Sequence, residues 1–158
     1  MNRRTFFTCS TAAILTAFLP VKVVAKEPKT FEITRTKREW KNLLSDLEYK
    51  VMRKQGTERA FTSPLDKLFD EGTYHCKGCD FALYSSAHKF NSGTGWPSFW
   101  QALPGAISTK TDKKFFMVRT ECHCSRCGSH LGHIFDDGPQ PTGKRHCING
   151  VSMSFKKS

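Results

Sequence analysis

Apolar residues near the front of the chain recur at helical intervals, and further on they come in short runs broken by turn formers. Trp40, Leu43, Leu44, Leu47 and Val51 share one face of a 3.6-residue repeat. Just before them, Thr36-Lys37-Arg38-Glu39 has capping-box spacing, with Thr36 able to accept a backbone N–H and Glu39 to reach back. Lys50, Arg53 and Lys54 suit the negative end of a helix dipole, and Gly56 supplies a stop. The pattern predicts one helix over residues 37–55, its apolar stripe turned to a core. Ser63-Pro64 predicts a second, shorter helix ended by Gly72, since proline is tolerated in a first turn.

Beyond Gly72 the character changes. Phe115-Phe116-Met117-Val118 and Ile134-Phe135 are short apolar runs set among Gly, Pro, Asp and Asn, and Val151-Ser152-Met153-Ser154-Phe155 alternates as a half-buried strand does. The expected fold is mainly antiparallel β with helices gathered at the front. A length of 158 residues, 38% hydrophobic with 13 Phe, allows one domain with a modest core and a short appendage.

The appendage is N-terminal. Arg3-Arg4 is followed by Phe6-Phe7, an apolar stretch over residues 9–19, and small residues ending at Ala25. That stretch is too short to cross a hydrocarbon layer of about 30 Å. The combination predicts a twin-arginine export signal cleaved after Ala25, against an uncleaved anchor or tail. Residues 1–25 are then the signal, 26–35 a linker and 36–158 the domain, working outside the cytoplasm and most simply in the periplasm. Cleavage removes Cys9 and the basic residues Arg3, Arg4 and Lys22 with no acid, so the formal charge drops from +11 to +8. The remaining basic residues are spread along the chain, which reads as a solvated surface and not a nucleic-acid stripe.

The cysteines then sort themselves. Cys76/Cys79 and Cys124/Cys127 are Cys-x-x-Cys pairs, each able to present two sulfurs from one tight turn, and Gly128 permits the left-handed backbone such turns use. A redox-active pair or structural disulfides are the rival readings. Two matching pairs favour one structural zinc ion per chain with four cysteine ligands and no open position. Export of an already folded protein would let the thiolates bind metal in the reducing cytosol.

Cys147 stands outside that set. On a strand it shares a face with Asn149 and Arg145, and a nearby cation lowers a thiol's pKa. A buried, inert thiol is the blander alternative. His130 and His133, three apart, converge only if a bulge at Gly132 interrupts the strand. Gly93-Thr94-Gly95-Trp96-Pro97-Ser98-Phe99 is a loop displaying Trp96 and Phe99, either as a hydrophobic plug or as an aromatic wall for a small apolar group.

Gly95-Trp96-Pro97-Ser98-Phe99, Arg119-Thr120-Glu121, Cys124-x-x-Cys127, Ser129-His130-Leu131-Gly132-His133-Ile134-Phe135-Asp136-Asp137-Gly138-Pro139 and Cys147-Ile148-Asn149 together resemble the B-type methionine sulfoxide reductases. The resemblance implies two antiparallel sheets with peripheral helices, stapled by zinc on Cys76, Cys79, Cys124 and Cys127. It implies reduction of the R epimer of methionine sulfoxide, with Cys147 as nucleophile left as a sulfenic acid. Trp96 would hold the substrate methyl; His130, His133 and Asn149 would orient and protonate the sulfoxide oxygen, with Asp137 and Arg145 in support. The chain departs from the pattern at Thr94, where many members carry a resolving cysteine, and at His146, where an aromatic ring is usual. Cys122 is the one other thiol that could resolve the sulfenic acid; packing is favoured for it, and an external thiol or thioredoxin-like protein as the reductant. The competing class is a zinc-ribbon-like module binding nucleic acid or a protein, which leaves the pocket-type residues unexplained.

Overall fold

The computed structural model describes residues 31–113 and 118–158. The expected export signal, residues 26–30 of the linker, and Phe115, Phe116 and Met117 lie outside the described residues.

The front helix is in fact two: α1 (Lys37–Leu43) and α2 (Asp46–Lys54). Leu44 is extended at φ −112° and ψ 142°, and Ser45 opens a second capping box, accepting the Glu48 N–H while the Glu48 carboxylate takes its own. A serine side chain competes well for backbone N–H groups, so it ends one helix and starts another. The break shifts the phase of the stripe: Trp40, Leu44, Val51 and Met52 are buried, whereas Leu43 and Leu47 stand about half exposed. At the far end Gln55, not Gly56, takes the left-handed conformation (φ 56°), and the Gly56 N–H reaches back to the Lys50 carbonyl. The expected helix after Ser63-Pro64 is absent. Carbonyls that a helix would use accept other partners, Leu68 the Tyr74 hydroxyl and Asp66 the Lys89 ammonium, each at 2.8 Å.

Two antiparallel sheets follow, as the family resemblance implies. The smaller has the order β2-β1-β9, from β1 (Gly72–Cys76), β2 (Ala82–Ser85) and β9 (Met153–Lys157). The larger runs β3-β4-β8-β7-β6-β5. Its strands are β3 (Lys89–Phe90), β4 (Ser98–Phe99), β5 (Ile107–Asp112), β6 (Arg119–Cys124), β7 (His130–Phe135) and β8 (Arg145–Ile148). The last strand starts later than its alternation suggests, because Gly150–Ser152 form a 3₁₀ turn whose Gly150 and Val151 N–H groups are held by the Glu58 carboxylate.

The core holds Tyr74, Leu83 and Tyr84 of the small sheet with Phe99, Cys122, Leu131 and Ile148 of the large one. Phe99 stacks on Tyr84 (centroids 4.3 Å) and meets Tyr74 edge-on (4.9 Å). Of the two aromatics in the Gly93–Phe99 loop, Phe99 is therefore the plug. Helix α2 packs over β7 and the Gly150–Ser152 turn.

Register assigns the faces of the large sheet. Glu121, His133, Cys147 and Ser98 lie in one row across β6, β7, β8 and β4; Cys122, Gly132 and Ile148 form the adjacent row. Directly opposed residues share a face and successive ones alternate. Cys122 and Ile148 therefore point into the core, and Cys147 and His133 point away from it.

Candidate active site and metal centre

The two knuckles meet between the sheets. The first follows β1 and the second joins β6 to β7. They share one backbone form, with Asp80 (φ 58°) and Gly128 (φ 68°) left-handed after the second cysteine of each pair. The N–H of Asp80 bonds to the Cys76 carbonyl and that of Gly128 to the Cys124 carbonyl. All four sulfurs lie within 4.8 Å of one another, Cys76 to Cys127 at 3.7 Å and Cys79 to Cys124 at 3.6 Å. A disulfide needs about 2 Å. Sulfurs about 2.3 Å from a tetrahedral ion stand roughly 3.8 Å apart, which these spacings match. The cluster can hold a metal ion.

Beside β7 a cleft of about 140 Å³, open at its mouth, is lined by Thr57, Trp96, Arg119, Gly132, His133, Phe135, Cys147 and Asn149. That is room for one side chain. Four of the residues expected from sequence thus meet: Trp96, His133, Cys147 and Asn149. The two histidines converge through a bulge, as the spacing requires, but one residue earlier: Cys122 pairs with Gly132 and His123 with His130, leaving Leu131 as the extra residue. Gly132 has another reason to be glycine, since a Cβ there would meet the Cys147 carbonyl oxygen at 2.0 Å. The His130 and His133 rings lie 5.5 Å apart. His130 is buried behind the cleft, its Nδ1 bonded to Glu121 at 2.9 Å.

Trp96 and Asn149 are held from behind. Trp96 donates its indole N–H to the Glu58 carbonyl at 3.2 Å. Asn149 accepts the Glu58 N–H at Oδ1 and donates from Nδ2 to the Leu131 carbonyl, both at 2.9 Å. Its orientation is then fixed, and one amide N–H remains for a ligand. Asp137 clamps Arg145 with two bonds of 2.8 Å, and the guanidinium lies over Phe135 at 4.5 Å. Neither Asp137 nor Arg145 is among the residues lining the cleft. Burial raises the Cys147 thiol above its usual range, partly offset by the Arg145 charge and bonds from Thr94 and Arg145. Arg145 thus lowers the thiol as a nearby cation should, but desolvation outweighs it.

Cys122 does not fit the resolving role. It is fully buried on the opposite face of the sheet, and β7 lies between its strand and that of Cys147. Two strand spacings, roughly 10 Å, exceed the span of a disulfide. Burial pushes its thiol up to about 12. His146 also points to the core, bonded to the Tyr84 hydroxyl at 3.2 Å, so its polarity does not reach the cleft. Sequence reasoning missed Arg119 and Phe135 as lining residues, although both stand in the recognised motifs, and it missed Thr57, Glu58 and Asp112, which no pattern signalled.

Comparison with known proteins agrees. The SelR domain family matches residues 44–157. A peptide methionine sulfoxide reductase MsrB of Leptospira interrogans is 47% identical over 128 residues, covering 80% of this chain and 98% of that protein. One from Thiobacillus denitrificans is 52% identical over 122 residues, 77% and 92% of the two chains. The chloroplastic peptide methionine sulfoxide reductase B1 of Oryza sativa is 46% identical over 129 residues, 81% of this chain and 60% of the relative.

Proposed function

The chain belongs to the SelR-domain family of B-type peptide methionine sulfoxide reductases, and we propose that its cleft reduces the R epimer of methionine sulfoxide, in proteins or free, at Cys147. The observation that carries this is the meeting of Trp96, His133, Cys147 and Asn149 in one cleft sized for a single side chain.

Trp96, its ring fixed by the bond to Glu58, offers an apolar face to the substrate methyl. Cys147 attacks the sulfoxide sulfur as thiolate. Because burial favours the neutral thiol, its proton must first move, and His133 takes it and passes it to the sulfoxide oxygen. The oxygen then passes to the Cys147 sulfur as both the substrate S–O bond and the S–S bond made by the attack break, leaving methionine and a sulfenic acid. The substrate sulfur gains two electrons and the Cys147 sulfur loses two. The spare N–H of Asn149 steadies the oxygen, His130 backs His133, and the Asp137–Arg145 pair supports Cys147 and the substrate. An external thiol, in our reading a thioredoxin-like protein, then gives two thiol hydrogens to return Cys147 to the thiol, releasing water and a disulfide. Thr94, whose hydroxyl lies 4.0 Å from Cys147 Sγ, has no sulfur to offer.

Zinc is the ion that four thiolates at these spacings suit, binding β1's knuckle to the β6–β7 hairpin as a structural staple. For the mature protein we propose export by the twin-arginine signal to the periplasm, where it would repair oxidised proteins; a mature chain recovered there should begin at Lys26 on N-terminal sequencing. No nucleic-acid or membrane partner enters this reading.

The decisive experiment is turnover of the two separated sulfoxide epimers with dithiothreitol. The R epimer alone should react, and Cys147→Ser should abolish turnover while keeping metal content and fold. Equal use of both epimers, or activity surviving the substitution, overturns the proposal.

A further inference from the structure

We propose that Asp112 is the positioning residue for His133: its carboxylate fixes the imidazole across β6, reserves Nδ1 for proton transfer, and balances the charge the ring takes up. The inference rests on the reading of Cys147 and His133 given above.

The geometry is specific. His133 stands on β7 and Asp112 on β5, with β6 between them, so the side chains bridge two strand spacings, roughly 10 Å of backbone separation. His133 Nε2 donates to Asp112 Oδ2 at 2.9 Å. The same oxygen accepts from Nη2 of Arg119, its direct partner across the β5–β6 ladder, at 2.8 Å. Asp112 is only 9% exposed, so its charge acts with little screening. It therefore orients two groups that line the cleft, one by each bond.

A carboxylate on one imidazole nitrogen fixes the tautomer and leaves the other nitrogen to exchange a proton with substrate, as in hydrolytic triads. The groups facing His133 are Asp112 on β5, Arg119 and Glu121 on β6, His130 on β7 and Cys147 on β8. Burial lowers the imidazole's affinity for a proton, and the Arg119 and His130 neighbours act in the same direction. Asp112 opposes them through its hydrogen bond and its charge. The relay then closes: the Cys147 thiol gives its proton to His133 Nδ1, Asp112 keeps the Nε2–H, and the Nδ1 proton passes to the sulfoxide oxygen. It ends on the sulfenic hydroxyl, and His133 returns to its starting form.

Asp112→Asn keeps the shape and removes the charge. In the full chain it should lower kcat for the R sulfoxide about 100-fold, with KM changed less than about threefold. The His133 titration, followed by NMR, should move to lower pH, and Asp112→Glu should recover part of the rate. In a His133→Gln background, Asp112→Asn should cost less than about twofold more, as expected when one residue acts through the other. Parent kcat in Asp112→Asn, an unmoved His133 titration, or an undiminished further loss in the His133→Gln background would each overturn the proposal. Should Asp112→Asn fail to fold by metal content and circular dichroism, Asp112→Glu replaces it: reduced kcat at held KM supports the assignment and full kcat overturns it. The parent, assayed alongside, separates the two claims, because its failure on the R epimer would strike the functional reading itself.

Discussion

Thr94 faces the Cys147 sulfur from the pocket loop, its hydroxyl 4.0 Å from Cys147 Sγ. At that range a thiol needs only a small rotation to reach disulfide distance. We expect Thr94→Cys to form a disulfide between the introduced thiol and Cys147 after a single turnover, detectable as a two-hydrogen mass loss on the reduced protein. The parent should instead yield a Cys147 sulfenic acid that a nucleophilic trap captures, and a parent disulfide to Cys122 would contradict the opposed faces seen here. Residue identity pointed to Cys147: setting the two knuckles aside leaves it and Cys122 in the domain, and it alone stands in the Cys-Ile-Asn motif that resembles the family. Its electrostatics were not legible, because the charge of Arg145 is a local fact and the desolvation that outweighs it is not.

The front helices show what an element owes to one residue. Ser45 is hidden inside a continuous apolar stripe, yet its capping box with Glu48 splits that stripe into α1 and α2 and turns Leu47 outward. Ser45→Ala should cost about 1 kcal/mol of stability. The measurement is a fall in the urea midpoint without a change in m; no fall would show that α2's packing on β7 alone holds the break. The bulge on β7 is an element-scale feature of the same kind. That one had to exist for two histidines three apart to meet was clear from the spacing. Its position at Leu131 was set by pairing with β6, which no local pattern encodes.

For the molecule as a whole, stability rests on two sheets joined by the cysteine cluster and by the aromatic layer of Tyr74, Tyr84 and Phe99, into which His146 is also packed. Burial pushes that imidazole down to about 4, from an ordinary 6.5. The unfolded chain therefore takes up the proton first as pH falls. The contribution is whole above about pH 6.5 and is lost progressively toward pH 4, by about 2–3 kcal/mol at pH 4.5. His146→Phe should lose less stability than the parent between pH 7.5 and 4.5 by that amount in chemical denaturation. Equal losses would mean that the imidazole is solvated in the folded state. By itself the sequence determined the class of fold, the four cysteines that cluster and the family, and through the family's motifs it pointed to Cys147 as the nucleophile we propose, because knuckle spacing, alternation and short motifs are written within a few residues of one another. Only the tertiary structure decided which cysteine lies behind the sheet, where the second aromatic of the cleft comes from, and that Asp112 reaches His133 across β6. Those contacts depend on strand order and register, which are settled by packing between segments far apart in the chain.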